Sequence, residues 1–171
     1  MKRPKVLVET MKIEYEIIQR NDLNNTLRGV FADMLGKQGK VQGDLSTKAD
    51  RCKLICIAKV DDKVIAIGGI KQKTASDFEN DKACVPTLAS EFEWELGYLY
   101  TDGGYNGRGI ASCVTRHLID SYGKGNLMAT TEITANPAMV TILERQKFQL
   151  FGKPWRSNIH GNYLGLFLRF E

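Results

Sequence analysis

One stretch, from Glu93 to Arg116, constrains the fold of this 171-residue chain more than any other. It opens with an apolar-rich segment, Trp94 to Thr101, whose composition predicts a strand. Four glycines follow within nine residues, and an amphipathic pattern that predicts a helix starts near Ile110. Glycines at such a junction leave backbone N–H groups uncovered at the positive end of the helix dipole. The stretch therefore predicts a site for an anion such as pyrophosphate, although glycine turns also form for steric reasons alone.

A motif at this turn gives the chain a family resemblance. The letters LYTD at 99–102 and YNGRGIA at 105–111 resemble the acyl-CoA signature of the GNAT superfamily of N-acetyltransferases. In that signature, Gln/Arg-x-x-Gly-x-Gly/Ala, Gly109 and Ala111 match, and Asn106 stands where Gln or Arg is usual.

A second motif lies downstream in the order that the family uses. The run from Asn136-Pro137-Ala138 to Phe148 resembles the Asn-Pro-Ala…Leu-Glu-Lys branch of GNAT enzymes, with Lys147 in place of its glycine. Leu143 occupies the position where many members carry a tyrosine that protonates the CoA thiolate, so another residue or solvent would supply that proton.

The resemblance implies an α/β (α+β) fold: one domain over residues 1–171, with a mixed, mostly antiparallel sheet flanked by helices. It implies transfer of an acetyl group from acetyl-CoA, a co-substrate, to a primary amine by direct attack on the thioester, without a metal. A catalytically silent acyl-CoA-binding domain and a phosphate-ligand or nucleic-acid-associated module are the alternatives. A Walker loop is excluded by the lack of a Gly-Lys-Ser/Thr ending, and a dinucleotide site is disfavoured because several strands precede the turn.

The resemblance implies that the strand at 94–101 separates from the strand at 127–134, often with a bulge in the first, and that the pantetheine arm of CoA can lie in the gap. Backbone groups of Leu99 and Thr101 would pair with its amides. The residues assigned to CoA are Leu99, Thr101, Asn106, Gly107, Arg108, Gly109, Ile110, Ala111, Ser112 and Asn136.

An amine with a pKa of about 10.4 is protonated at neutral pH, so the reaction needs a base. Glu95 stands where many members carry a glutamate base, and strand alternation places it on one face with Glu93 and Gly97. The alternative is that both glutamates form the solvent face of the strand. Candidates for further roles, each also explained by packing or exposure, are Tyr98, Tyr100, Tyr163 and His160.

The acceptor is predicted from charge. Asp77, Glu79 and Asp81 lie in a long irregular segment, and Glu91, Glu93 and Glu95 follow it in a mildly basic chain of net charge +4. Such a cluster attracts cations, which favours a positively charged amine, although the carboxylates would also serve only to solubilise a mobile loop. The mild charge makes a nucleic-acid partner unlikely, and the chain is compatible with a homodimer.

Composition bounds the remaining classes. No apolar run approaches the roughly 20 residues of a membrane span, and Glu9 and Lys12 interrupt the N-terminal apolar run, so we predict a cytoplasmic protein without a signal peptide. The four cysteines lack the paired spacing of a zinc site. Cys52 and Cys56 have the same parity in a predicted strand and should share one face.

Periodicity and turn residues predict the other elements. A helix from Leu23 would be capped by Asn21-Asp22 and ended by Gly36. Two β-branched runs around Asp61-Asp62 predict a hairpin. The predicted strands are 12–19, 53–60, 63–70, 94–101, 127–134, 149–151 and 163–170, and the later helices are 110–122 and 137–147.

Overall fold

The computed structural model describes residues 11–171, which form one seven-stranded sheet in the order β1-β2-β3-β4-β5-β7-β6. Neighbouring strands are antiparallel except β4 and β5, which run parallel. This confirms the predicted mixed, mostly antiparallel sheet. The first ten residues, which hold part of the run that argues against a signal peptide, lie outside the described residues. The strands are β1 (Glu14–Gln19), β2 (Cys52–Val60), β3 (Lys63–Gln72), β4 (Trp94–Thr101), β5 (Leu127–Glu132), β6 (Gln149–Arg156) and β7 (Tyr163–Arg169).

Three α-helices flank the sheet: α1 (Asn25–Gln38), α2 (Ile110–Tyr122) and α3 (Pro137–Arg145). Both predicted ends of α1 were wrong. Asn24 caps it, because its side chain accepts a hydrogen bond from the Leu27 N–H at 2.9 Å. The helix continues past Gly36 to Gly39, whose left-handed backbone (φ 73°) is a common way to end a helix. No helix within residues 11–171 is long and apolar enough to cross a membrane.

The helices lie on opposite faces of the sheet. Buried residues of α2, such as Val114 and Leu118, pack with Leu143 of α3 on one face. Phe31 and Leu35 of α1 pack with Tyr98 of β4 on the other. The irregular segment 73–93 covers the β5–β7 half of this second face, where its aromatic residues contact side chains of the last strands. These contacting residues include Phe78, Phe92, Met128, Trp155 and Leu166.

A bulge separates the two cysteines that the sequence placed on one face. The register between β2 and β3 shifts between Cys52 and Leu54, so the alternation of side chains changes phase there. As a result Cys52 packs on the α1 face and Cys56 on the α2 face. Both remain small buried core residues, as expected, and burial raises the pKa of each thiol to about 12.

The separation of β4 from β5 is confirmed. The two strands pair only at Trp94–Leu127 and Glu95–Met128, and then diverge. β4 also carries a bulge, because its register against β3 shifts between Ile67 and Gly69. Tyr98 lies at this irregularity with φ 57°, a value that residues with side chains rarely adopt. The bulge and the divergence together open the sheet in the middle of β4.

Lys147 shows the same kind of strained backbone after α3. Its φ is 67°, in the left-handed region that favours glycine. This is the position at which the resemblance places a glycine, and Lys147 adopts a backbone conformation that glycine adopts more readily.

Candidate functional site

The opening between β4 and β5 contains a cavity. Its volume is about 700 Å³, and its wall includes residues from both faces of the sheet. Ala111 of α2 and Ile142 of α3 line it on one face, and Gln38 at the end of α1 lines it on the other. A second cavity of about 460 Å³ shares Thr101, Asn106 and Ala111 with the first and extends to the glycine turn. The two cavities therefore form a passage from the glycine turn through the sheet to the α1 face.

The backbone of β4 presents polar groups to this passage. The Asp102 N–H donates to the Ile65 carbonyl at 2.8 Å, so it points toward β3. Backbone groups alternate in direction along a strand, and those of Thr101 and Leu99 therefore point away from β3 toward the gap. These are the residues that the sequence proposed for the pantetheine arm.

One of these backbone groups, the Leu99 carbonyl, already has a hydrogen-bond partner in Gln38. Its side-chain N–H donates to the Leu99 carbonyl at 2.8 Å, while its Oε1 is buried and has no hydrogen-bond partner among the described residues. Lys37 also pairs with Asp102 at 3.6 Å, so two contacts hold the end of α1 against the end of β4. Sequence reasoning missed Gln38 because only the fold places residue 38 beside residue 99.

The glycine turn combines left-handed backbone with a helix start that has no side-chain cap. Gly107 and Gly109 have φ values of 76° and 73°, and Gly109 stands at the N-terminus of α2 without any side-chain cap. The first N–H groups of α2 therefore lack an internal partner from a capping side chain. Arg145 of α3 lines the same cavity and adds a positive charge. The second motif contained Arg145, which matches a lysine of the branch, but the sequence analysis gave it no role.

Of the residues assigned to CoA, all line one of the two cavities except Arg108. The Arg108 side chain is instead exposed, with its guanidinium 5.9 Å from the centre of the Tyr105 ring. Asn136 lines the larger cavity but also has a structural role, since its Oδ1 accepts a hydrogen bond from the Met139 N–H and caps α3.

Glu95 lies inside the cavity and forms a buried ion pair. Its side chain is 8% exposed, and its Oε2 is 3.2 Å from Nζ of Lys71, the residue directly opposite it on β3. Its Oε1 accepts the Thr74 N–H at 2.8 Å. The solvent-face alternative is therefore wrong for Glu95 and right for Glu93, which is exposed. A carboxylate has about four acceptor positions, so Glu95 retains capacity for a water or an amine.

A second carboxylate, Glu132 of β5, lines the same cavity. Its Oε1 is 3.2 Å from Lys40 Nζ and 3.0 Å from His160 Nε2. Nδ1 of His160 accepts a hydrogen bond from the Asn162 N–H at 3.1 Å. Both ring nitrogens are therefore engaged, which removes His160 as a free base although it lines the cavity as expected.

The tyrosines differ in position. Tyr98 and Tyr100 line the cavity, whereas Tyr163 is 51% exposed and stacks with Arg156. Burial raises the pKa of Tyr98, and the nearby Arg51 guanidinium opposes part of that rise. Tyr98 therefore stays protonated at neutral pH and can donate a hydrogen bond. Leu143 is fully buried and also lines the cavity.

The acidic segment does not lie where the acceptor prediction needed it. Asp77 is buried, accepts the Thr130 hydroxyl at 2.8 Å and pairs with Lys82 at 3.2 Å. Glu79 and Asp81 are exposed, and none of the three lines either cavity. Because Asp77 is already paired and the other two carboxylates lie outside both cavities, this segment gives no structural support to a cationic acceptor. Among residues 11–171, no three His, Cys, Asp or Glu side chains cluster as metal ligands would.

Comparison with known proteins identifies the fold of this chain through solved structures. No protein-family model and no curated protein matches the sequence. An acetyltransferase of the GNAT family from Streptococcus pneumoniae aligns with a TM-score of 0.61 at 14% identity, covering 92% of this chain and 98% of that chain. Naa50 from Arabidopsis thaliana, in complex with the bisubstrate analogue CoA-Ac-MVNAL, aligns with a TM-score of 0.66 at 11% identity, covering 92% and 99%. A chain of the NatC complex bound to Gag peptide and CoA aligns with a TM-score of 0.69 at 14% identity, covering 94% and 99%.

The chain has the GNAT fold. The identities of 11–14% establish this at the level of the fold alone. The structural alignments confirm the GNAT resemblance at the level of the fold, and the branch that the motif at 136–148 indicated stays a prediction. The GNAT fold accounts for the single parallel strand pair and for the helices on both faces, and the chemistry has to be argued from the residues of the cavity.

Proposed function

We propose that the protein transfers an acetyl group from acetyl-CoA to a primary amine, and that it works in the cytoplasm, as the sequence predicts. The observation that carries the proposal is the passage itself: a gap beside the polar backbone of Leu99 and Thr101 that continues to the uncapped N-terminus of α2. The amides of a pantetheine arm can pair with a strand edge as an added strand would, and phosphates suit free N–H groups at a helix start.

The residues proposed to hold acetyl-CoA are those of the sequence analysis, with Arg145 added as a cation beside the glycine turn. Arg108 stays a proposed phosphate contact, although its side chain lines neither cavity and lies near the Tyr105 ring. Two of the structural neighbours support the ligand, because one was solved with CoA and a peptide and the other with a CoA–peptide conjugate.

In the reaction, the amine nitrogen bonds to the thioester carbon and the carbon–sulfur bond breaks. The nitrogen loses a proton, and the CoA sulfur gains one. We assign the first proton to Glu95, directly or through a water, because it lies on the wall of the cavity with acceptor capacity left over. Glu132 is the competing carboxylate. Tyr98 or Tyr100 can supply a proton to the thiolate, although a thiol pKa of about 8.5 makes a dedicated acid helpful rather than required.

Calorimetric titration with acetyl-CoA, NAD and ATP tests the first half of the proposal. We expect binding of acetyl-CoA alone. The second half is tested by thiol release and mass spectrometry with a tetrapeptide bearing a free amino end, Nα-acetyl-lysine amide, spermidine and an aminoglycoside. Binding of acetyl-CoA without transfer to any amine would favour the silent binding domain, and preferential binding of NAD or ATP would contradict the proposal.

A further inference from the structure

The cations that line the large cavity differ in how they are paired. Lys71 pairs with Glu95, and Lys40 pairs with Glu132. The other two, Lys48 and Arg51, have no carboxylate within 4.0 Å among residues 11–171. We call Lys48 and Arg51 the basic pair. They place on the cavity wall two positive charges that form no ion pair within 4.0 Å among residues 11–171.

The basic pair lies on ordered backbone. The Lys48 N–H donates to the Leu45 carbonyl at 3.2 Å, and the Arg51 N–H donates to the Lys48 carbonyl at 3.1 Å. These bonds form two successive 3-10 turns that lead into β2. Both side chains are only partly exposed. The charges are therefore presented to the cavity from a fixed segment rather than from a long free loop.

The basic pair is also close to the proposed reaction centre. Nη1 of Arg51 is 3.4 Å from the Tyr98 hydroxyl, and Tyr98 precedes Leu99 at the bulge of β4. The Nζ of Lys71, the partner of Glu95, is 5.1 Å from the centre of the Tyr98 ring. Tyr98 packs on the α1 face, whereas the glycine turn leads into α2 on the opposite face. The basic pair thus lies at the end of the passage that remains for the acceptor when CoA enters from the glycine turn.

We propose that the acceptor is an amine that carries a carboxylate close to its nitrogen, and that Arg51, assisted by Lys48, binds this carboxylate. The proposal rests on the proposed function and reverses the charge that the sequence predicted. A guanidinium matches a carboxylate with two parallel hydrogen bonds, and such charge-assisted bonds are strongest where water is largely excluded. The carboxylate can belong to a free α-amino acid or to an acidic residue at the amino end of a peptide.

Matched acceptors separate these two sources. The first pair is L-alanine and L-alaninamide, which differ in the α-carboxylate. The second pair is the peptides Asp-Ala-Ala-Ala and Asn-Ala-Ala-Ala, which differ in the first side chain, and Lys-Ala-Ala-Ala tests the opposite charge. We expect the acidic member of one pair to have a kcat/KM at least about 10-fold higher than its neutral partner, in line with the strength of a hydrogen bond between charged groups.

Variants then assign the preference to the basic pair. Arg51→Gln should reduce the preference to about 2-fold or less by raising KM for the acidic acceptor more than KM for its neutral partner, while acetyl-CoA affinity changes less than about 2-fold. Arg51→Lys should retain part of the preference, because lysine keeps the positive charge but cannot form the two parallel hydrogen bonds of a guanidinium. Lys48→Gln should lower the preference less than Arg51→Gln does. If Arg51→Gln does not fold, Lys48→Gln still tests the proposal. Lys124→Gln is the control, since it removes one charge from an exposed position outside both cavities.

Three outcomes would overturn the proposal. They are equal use of acidic and neutral acceptors, a preference for Lys-Ala-Ala-Ala, and a preference that persists in both Arg51→Gln and Lys48→Gln. Each of these still requires transfer from acetyl-CoA, so each leaves the proposed function intact. A protein that binds acetyl-CoA but transfers to none of these acceptors, nor to the amines of the earlier screen, would instead overturn the proposed function and this assignment with it.

Discussion

Gly109 offers a sharp test of the CoA site because the chain contains a matched control for it. Gly109 has φ 73° and ψ 16°, and Gly39 at the end of α1 has φ 73° and ψ 13°. A Cβ built on either residue meets no atom within 4 Å. The two glycines therefore impose the same backbone cost on a substituted side chain and give it similar room, but only Gly109 borders the cavity proposed for the phosphates.

The two substitutions should cost similar stability and very different affinity. A side chain in the left-handed region costs about 1–2 kcal/mol, of which about 0.4–1 kcal/mol is offset because glycine leaves the unfolded chain freer. Gly109→Gln and Gly39→Gln should therefore each lose about 1 kcal/mol of unfolding free energy. At Gly109 the glutamine would also displace phosphate from the N–H groups of α2. Loss of two hydrogen bonds to charged oxygens, at about 1.5–3 kcal/mol each, weakens binding about 100-fold or more.

Calorimetric titration with acetyl-CoA measures the affinity, and urea unfolding measures the stability of the same preparations. We expect acetyl-CoA to bind Gly39→Gln within about 2-fold of the unsubstituted protein and Gly109→Gln at least about 100-fold more weakly. Equal affinity of the two variants would refute the placement of the phosphates at this turn. Equal loss of affinity and of stability in both would show that backbone strain, rather than a lost ligand contact, explains the effect.

Further substitutions test the base, the acidic segment and the strained turn. Glu95→Gln should lower turnover about 100-fold or more at pH 7, with partial recovery at higher pH as the free amine becomes abundant. The pH–rate profiles of Glu95→Gln and Glu132→Gln measure this effect. If Glu132→Gln alone shows it, the base is Glu132 of β5 and not Glu95. Asp77→Ala should lower the free energy of unfolding by about 2–3 kcal/mol, because it removes the buried partner of Thr130 and Lys82. Glu79→Gln should change the free energy of unfolding by less than about 0.5 kcal/mol. Neither substitution should change KM for the acceptor. Lys147→Gly should raise the free energy of unfolding by about 0.5–1 kcal/mol, since it relieves the φ of 67°, and unchanged or lower stability in urea would contradict this reasoning.

The central strand, the glycine turn and α2 could be predicted because their signals are local. The bounds 94–101 and 110–122 agree with the structure, since alternation, glycine and helical periodicity act over a few residues. The ends of α1 were harder for a physical reason. Asn21, Asp22 and Asn24 are all good caps. Gly36 is not among the glycines with a positive φ, so it continues the helix, whereas Gly39 adopts the left-handed conformation that ends it.

Bulges limit how well the alternation of residues along a strand predicts which face each side chain occupies. The expected common face of Cys52 and Cys56 assumed an unbroken strand, and one irregularity after Cys52 moved the two thiols to opposite faces. A bulge inserts one residue without a clear signal in composition. The bulge in β4 was expected only from the family resemblance, and the residue at its centre, Tyr98, is not one that favours a positive φ.

The surroundings of Glu95 show that a sequence motif alone cannot predict the contacts of a site, because those contacts depend on the pairing register of the strands. Its partner Lys71 precedes it by 24 residues, and the two meet only because β3 and β4 align them as a direct pair. Gly97 makes the contact possible: a Cβ there would lie 2.9 Å from Lys71 Cε, so the lysine stem crosses β4 over the missing side chain. In the sequence this glycine only weakens a strand. In the structure it brings the ammonium of Lys71 to the carboxylate of Glu95, and Gly97→Ala should disturb that ion pair without touching either charged residue.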